Sequence, residues 1–359
     1  MKSSLVIEEE NNKIDTTNKE ESNNEKESIT EKIKESVPSN YMPIHLASEG
    51  LLDAPKILHF RDYTLDDAME LNPIDDEEKL NAIVRTLNNM VWEDFDCNKL
   101  HMKELSQIIY TLHLNFINQK IEKEYYIDEN LPEGNDEGQL DHESNIAIIE
   151  IPMEAIKVRN INKNSDGTKK QEKFREPFEV FDDVTHDKIG FRLTKVYDLI
   201  FAKEYCDNFF SEELKDYKPY KIKLLKETRN AKTSKEKEEI INRIIDEDYD
   251  SYLEYKKFNE KYNLLYGRIT QASVIVSLNG VELKEIEEKI NAYKDRVSLT
   301  MWPFYNQTVA DYDFGIQENV TFFSEKLQKN ITRRFLFQLD DFIPDTNKDY
   351  SRRYHLQFN

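Results

Sequence analysis

Glycine is scarce in this chain. There are eight in 359 residues, and none falls in a G-x-G-x-x-G or G-x-x-x-x-G-K-[ST] spacing, so no loop of backbone amides is expected to cradle a phosphate. Cysteine is scarcer. Cys97 and Cys206 are too few for a disulfide framework or a four-cysteine zinc site, and neither stands in a C-x-x-C spacing, which suits a reducing compartment. Apolar runs are short as well. None approaches the roughly 20 residues that cross a bilayer, so no membrane partner is expected. At the N-terminus the apolar touch from Leu5 to Ile7 passes at once into Glu8, Glu9 and Glu10 without a cleavage pattern. The expectation is a chain that stays in the compartment where it is made.

Positive charge is also in deficit: 50 Lys and Arg against 71 Asp and Glu leave a formal charge of −21. Binding to a phosphate backbone requires clustered cations that release counterions, so nucleic acid is not expected as a partner.

Catalytic signatures are missing too. The seven histidines, His45, His59, His101, His113, His142, His186 and His355, are scattered, and none lies in H-E-x-x-H or another ligand spacing. Asp141-His142-Glu143 stands alone in a connector, and His113 reads as a partly buried packing residue on a helix. Neither G-x-S-x-G nor a papain-like cysteine context occurs. Cys97 and Cys206 sit beside aromatic or acidic neighbours, the setting of unreactive thiols. Asp182-Asp183 and Asp340-Asp341 resemble acid and base pairs, but a chain this acidic produces such pairs by chance. No catalytic, cofactor-binding or metal-ligating residue is assigned, and the chain is not expected to be an enzyme.

What the chain does contain is helical and strand periodicity in short blocks. Residues 1–36, nearly all Glu, Asn, Lys, Ser and Thr after the first few, have too little apolar surface to offset the entropy of ordering and are expected to be a disordered tail. Residues 37–128 read as a helical N-terminal domain with one short strand. Lys56 to Tyr63 alternates like a strand, and Thr64 is placed to cap a helix by accepting from the amide of Asp66 or Asp67. From Asp75 to Met90, Leu80, Ile83, Val84 and Leu87 form one helical face, and a second helix from Met102 to Glu124 is lined by Leu105, Ile108, Ile109, Leu112 and Phe116.

Residues 129–145 have the Pro, Gly and acid content of a linker. Residues 146–211 read as a mixed β/α region. Its strands are expected at Ile146–Ile151, Ala155–Arg159, Phe178–Phe181 and Lys188–Leu193, before a helix capped by Thr194 with Val196, Leu199, Ile200 and Phe201 on its buried face. The Lys and Glu alternation dominating residues 212–265 predicts a charged helical arm or insertion. Residues 266–345 follow as a helical segment with a terminal hairpin. Ala272 to Leu278 reads as a strand or a helix end, Asn279-Gly280 is a turn, and Val281 restarts a helix with Leu283, Ile286 and Ile290 on one face. The hairpin is expected from Asn319–Phe323 and Arg334–Leu339, and residues 346–359 form a C-terminal tail. The fold class is therefore α+β, predominantly helical with small antiparallel β elements and a terminal β-hairpin.

Aromatic side chains are plentiful, with 19 Tyr and 19 Phe, and large amphipathic rings favour protein interfaces. Tyr249, Tyr252, Tyr255, Phe258 and Tyr262 recur at three and four residues along one helix. Their spacing fits core packing and intermolecular contact equally well.

The order of short elements carries a resemblance. Pro38-Ser39 opens the fold, followed by Ile57-Leu58-His59-Phe60-Arg61 and Asp62-Tyr63-Thr64-Leu65-Asp66. Later come Val276-Ser277-Leu278-Asn279-Gly280-Val281-Glu282, then Asp313-Phe314-Gly315-Ile316, and finally Phe337-Gln338-Leu339-Asp340-Asp341-Phe342-Ile343-Pro344. Across most of residues 37 to 345 this succession resembles the base plate protein family of T-even-type tailed phages, whose members are described as baseplate hub subunits or hub assembly proteins. Asn40-Tyr41 departs from the glycine that members often carry after Pro-Ser. Phe322, Phe323 and Ser324 stand where many members carry cysteine pairs resembling a zinc ribbon, so an apolar contact would replace the metal. The arm from 212 to 265 looks like an insertion.

The resemblance implies a non-enzymatic virion structural protein of a myovirus bacteriophage tail baseplate, assembled in the host cytoplasm. Its partners would be other phage baseplate or tail proteins, held by protein–protein contacts without a cofactor. A transient tail-assembly chaperone absent from the virion is the alternative, followed by a hub-associated hydrolase. The sequence leaves the oligomeric state open.

Overall fold

The computed structural model describes residues 37–71, 76–117, 120–126, 146–164, 166–171, 174–182, 185–228, 231, 234–298, 301–324 and 328–344. The tails expected at 1–36 and 346–359 and the linker at 129–145 lie outside the described residues.

Alternation in the first ordered segment produces a hairpin. β1 (Tyr41–His45) pairs antiparallel with β2 (Ile57–Arg61), and Ile44 and Leu58, opposite one another, are both buried. Thr64 then caps α1 (Leu65–Glu70) as its position suggested. Its hydroxyl accepts from the Asp67 amide at 3.2 Å while the Asp67 carboxylate accepts from the Thr64 amide at 2.7 Å, satisfying two donors that a helix start leaves open. α2 (Asp76–Met90) buries Ile83, Val84, Leu87 and Met90, and α3 (Met102–Leu112) buries Leu105, Ile108, Ile109 and Leu112. A fully buried side chain of this size contributes roughly 1.5–3 kcal/mol, so these two stripes dominate the early core.

The second helix was expected to continue to Glu124, but it stops far earlier. A π-helical turn over His113–Ile117 ends it, and the chain enters β3 (Ile121–Tyr126). Ile121 and Tyr125 are buried while Glu122 faces out, a two-residue period. The strand finds its hydrogen bonds on β4 (Ile146–Ile151), with Ile121 opposite Ile151. A partner beyond the 129–145 segment therefore decides the conformation. Of the strand expected over Ala155–Arg159, only β5 (Val158–Arg159) forms, after a 3-10 turn at Met153–Ala155.

A four-stranded antiparallel sheet comes next, in the order β6 (Phe178–Phe181), β7 (Lys188–Phe191), β8 (Ile275–Leu278) and β9 (Val281–Glu282). Asn279 and Gly280 both have positive φ, 52° and 81°, as a tight hairpin turn requires. Val281 was expected to restart a helix. It extends the hairpin instead, and Leu283 lies outside α8 (Ile286–Arg296), whose Glu288 carboxylate accepts from the amide of the N-terminal capping residue Glu285. α9 (Met301–Asp311) carries Met301 and Tyr305 into the core below this sheet.

Between β7 and β8 the chain runs through α4 (Val196–Phe209), α5 (Ser211–Thr228), α6 (Ser234–Glu247) and α7 (Tyr249–Ser273), so the charged segment is helical. After α9, β10 (Gly315–Ile316) pairs with β5, and β11 (Asn319–Ser324) pairs with β12 (Lys329–Arg334). The terminal hairpin is present, but its second strand lies N-terminal to the expected Arg334–Leu339. Lys329 to Arg334 is mostly polar and reads as a turn. Only its inward face matters to packing, where Ile331 meets the core.

The architecture is α+β, predominantly helical with small antiparallel sheets and a strand pair near the C-terminus. The break drawn at 129–145 does not divide the core. One cluster joins Leu58, Phe60, Leu87 and Ile108 to Ile151, Val196, Val320, Phe335 and Phe342. A second cluster gathers Val180, Phe191, Ile275 and Tyr305, and a third gathers Leu52, Ile161, Phe174 and Phe314. Among the described residues no helix is long and apolar enough to cross a membrane.

Candidate functional site

Spacing on α4 separates two faces. Val196, Ala202 and Cys206 are buried, as is Phe210 just beyond the helix. Tyr197, Phe201, Tyr205 and Phe209, spaced four residues apart, run as a ridge along another side. Tyr197 and Phe201 are each 37% exposed and Phe209 is 65% exposed, while Tyr205 is half-buried. Phe201, expected on the buried face, therefore belongs to the exposed ridge. Burial follows Ala202 and Cys206, whose small side chains let α4 approach α7. The four-residue recurrence of aromatics was the available signal for the ridge.

The base of this helix is held firmly. Asp198, not Thr194, caps it by accepting from the Lys195 amide at 2.8 Å. Asp198 also receives both ends of the Arg192 guanidinium, at 2.6 and 2.7 Å. Arg192 further donates to the carbonyls of Leu193 and Ser273, tying α4 to the end of α7. Its guanidinium lies 5.1 Å from the centre of the Tyr197 ring, so the first residue of the ridge is oriented by a cation–π contact. Lys195 reaches across to Asp53.

A buried polar junction lies next to this anchor. His101 pairs in a β-bridge with Lys195, and the Leu100 carbonyl accepts from the Val196 amide at 2.9 Å. The Glu104 carboxylate accepts from the His101 amide at 2.8 Å and from the Ser48 hydroxyl. Burial lifts the Glu104 carboxyl to about 7, against the opposing pull of its bonds from Ser48 and His101. Burial, with Lys103 and Lys195 nearby, lowers His101 to about 3 and keeps the imidazole neutral. Its Nδ1 accepts from the Lys103 amide at 3.1 Å. These groups join three segments of the chain.

The remaining histidines and acids are dispersed. His45 and His186 are exposed, the latter with φ of 59°. His59 Nδ1 meets Glu93 at 2.5 Å, and His113, fully inside, donates from Nδ1 to the Phe342 carbonyl at 2.9 Å. His142 and His355 lie outside the described residues. Asp340 pairs with Lys79, and Asp341 pairs with Lys123. Asp182 accepts from Ser298 at 2.6 Å, while Asp183 is outside the described residues. Cys97 and Cys206 are both buried, on separate elements. Among the described residues no three His, Cys, Asp or Glu side chains stand close enough to hold a metal ion.

The aromatic series on α7 lies along the seam of the helical arm. Phe258 is buried, 4.9 Å from the stacked ring of Tyr217 and 5.6 Å from Phe210. Tyr255 lies 5.3 Å from Tyr220, and the Tyr262 hydroxyl donates to Asp207 at 2.6 Å. Of the five, Tyr249 is the exposed one. Packing within the arm accounts for this spacing, whereas the aromatic ridge of α4 faces outward. No family model, no curated protein and no solved structure matches this chain.

Proposed function

We propose that this chain is a non-enzymatic structural or assembly protein of a phage tail, a baseplate hub component that binds a second tail protein through the aromatic ridge of α4. The observation supporting this reading is the ridge itself: four aromatic side chains aligned on one side of a helix whose other side is buried and whose base is pinned by Arg192 and Asp198. Rings held this way lose little conformational freedom on contact, and aromatic anchors supply most of the energy of a typical interface.

Glu204 on α4 and Glu213 at the start of α5 are exposed acids near the ridge, while Glu212 is paired with Lys215. The occupant that complements them is a tail-protein surface with an apolar stripe and a basic rim. Within the virion such contacts join parts of the baseplate.

The test is capture of the phage's other tail proteins by the purified chain. Wild-type protein retains a tail protein, and the Phe201→Ser/Phe209→Ser variant binds it at least about thirtyfold more weakly with unchanged thermal stability. Undiminished capture by the folded variant would overturn the docking surface. Mass spectrometry of purified particles separates a hub component, which is present, from a transient assembly chaperone, which is absent.

A further inference from the structure

Cations are the minority charge in this chain, yet several gather at one cleft of about 330 Å3 that uses no residue of α4. Arg159, Lys163, Asn164 and Lys170 line one side, and Ala310 and Asp311, at the end of α9, line the other. The fold brings them together in three steps. β5 sets Arg159 opposite Gly315 of β10. The following chain turns back on itself through a bridge between Lys163 and Lys169, with Gly167 at φ of 83°. Lys170 then reaches the Asp311 carbonyl, its ammonium 4.9 Å from the centre of the Tyr312 ring.

Counter-charge at this place is short. Asp313 serves two cations at once, receiving Lys103 on one oxygen and Arg159 on the other. The Arg159 Nε–H is buried and has no hydrogen-bond partner among the described residues. Two carboxylates border the cleft, and each keeps its charge while accepting hydrogen bonds from neutral groups. Asp166 accepts from the amide and hydroxyl of Thr168 at 2.9 and 2.6 Å, and Asp311 accepts from Gln307 at 2.7 Å. The crowding is visible in the amines. Burial, with Arg159 and Lys170 nearby, lowers Lys103 to about 8 against the pull of Glu318, and burial with Arg159 lowers Lys170 against the pull of Asp311. Cations that depress one another are stabilised by an anion brought among them.

We propose that this cleft binds a small oxyanion, a phosphate or carboxylate group, through Arg159, Lys163 and Lys170. Guanidinium and ammonium donors form charge-assisted hydrogen bonds to either group, and Asn164 adds an amide donor at the same wall. Three cationic side chains around one space suit the three or more oxygens of a phosphate better than the two of a carboxylate.

The experiment is calorimetric titration of the full chain with sodium phosphate and, separately, sodium acetate, at constant ionic strength. Lys163→Glu reverses a charge on an exposed side chain, so its folding is preserved and is checked by thermal melting. Arg159→Gln is the second variant. Wild-type protein binds phosphate saturably, and each variant binds it at least tenfold more weakly. Tighter binding of acetate than of phosphate keeps the site and assigns it to carboxylate ligands. Absence of saturable binding of either anion overturns the inference, as does equal binding by Lys163→Glu. Neither result bears on the α4 ridge, which is tested by a different partner and different variants.

Discussion

Arg192 and Asp198 face each other as a two-pronged ion pair inside the molecule, with side chains only 9% and 2% exposed. The pair joins the end of β7 to the start of α4 and, through the Ser273 carbonyl, to the end of α7. A buried charge that loses its partner is far costlier than the pair is favourable. Asp198→Asn is therefore expected to destabilise the chain by ~3–5 kcal/mol, and the double replacement Arg192→Met/Asp198→Leu by much less. Urea unfolding of the two variants checks this. Equal losses would show that the charges are not electrostatically coupled.

Glu104 gives a pH dependence of definite sign. An unfolded glutamate titrates near about 4.3, whereas the folded carboxyl titrates at about 7. Between those values the native state retains a proton that the unfolded state has released, so this group's contribution to stability falls as pH rises through the window and levels off above it. Glu104→Gln mimics the protonated form. Its stability relative to wild type should be flat below about pH 4 and rise by up to ~3 kcal/mol by pH 8. His101, neutral down to about 3, has the opposite slope at lower pH, but it is present in both proteins and cancels in the comparison. A wild-type-to-variant difference independent of pH would refute the assignment.

The two thiols should be silent in the native protein. Burial, with Asp96 nearby, lifts Cys97 to about 12, and burial with Asp207 lifts Cys206 to about 11. Since only the thiolate attacks, neither cysteine is expected to react with a chromogenic disulfide at pH 8 until denaturant is added, when two equivalents react. Rapid modification of one thiol without denaturant would place that residue at the surface.

Gly190 is held to its identity by a close approach. In β7 it lies opposite Ser277 of β8, and an added Cβ would stand 2.2 Å from the Ser277 hydroxyl oxygen but 3.4 Å from its Cβ. Gly190→Ala is expected to cost about 1–2 kcal/mol, most of it recovered in a Ser277→Ala background. A double-mutant cycle in urea measures the coupling, and additive losses would mean that the strand shifts instead.

How much was legible depends on where each segment's partners lie. The Thr64 cap, the α2 face and the Asn279-Gly280 turn involve residues within a few positions of one another, and the structure places them as read. Ile121 to Tyr126 was misassigned because its hydrogen-bond partners lie beyond residue 145. Lys329 to Arg334 was passed over because one buried isoleucine, Ile331, is a weak signal among cations and polar residues. Phe201 was placed inside because aromatic content alone does not distinguish a face covered by α7 from one left exposed among the described residues.

Local spacing by itself determined the α+β class, the helical nature of the charged segment and the starts of the first three helices, because caps and hydrophobic periods act over one or two turns. Only tertiary structure decided that one core would join segments on both sides of 129–145. It also decided which side of α4 stays open and that Arg159, Lys163 and Lys170 share a cleft with the end of α9. Those outcomes depend on which distant surfaces exclude water together, and no short stretch of chain contains that information.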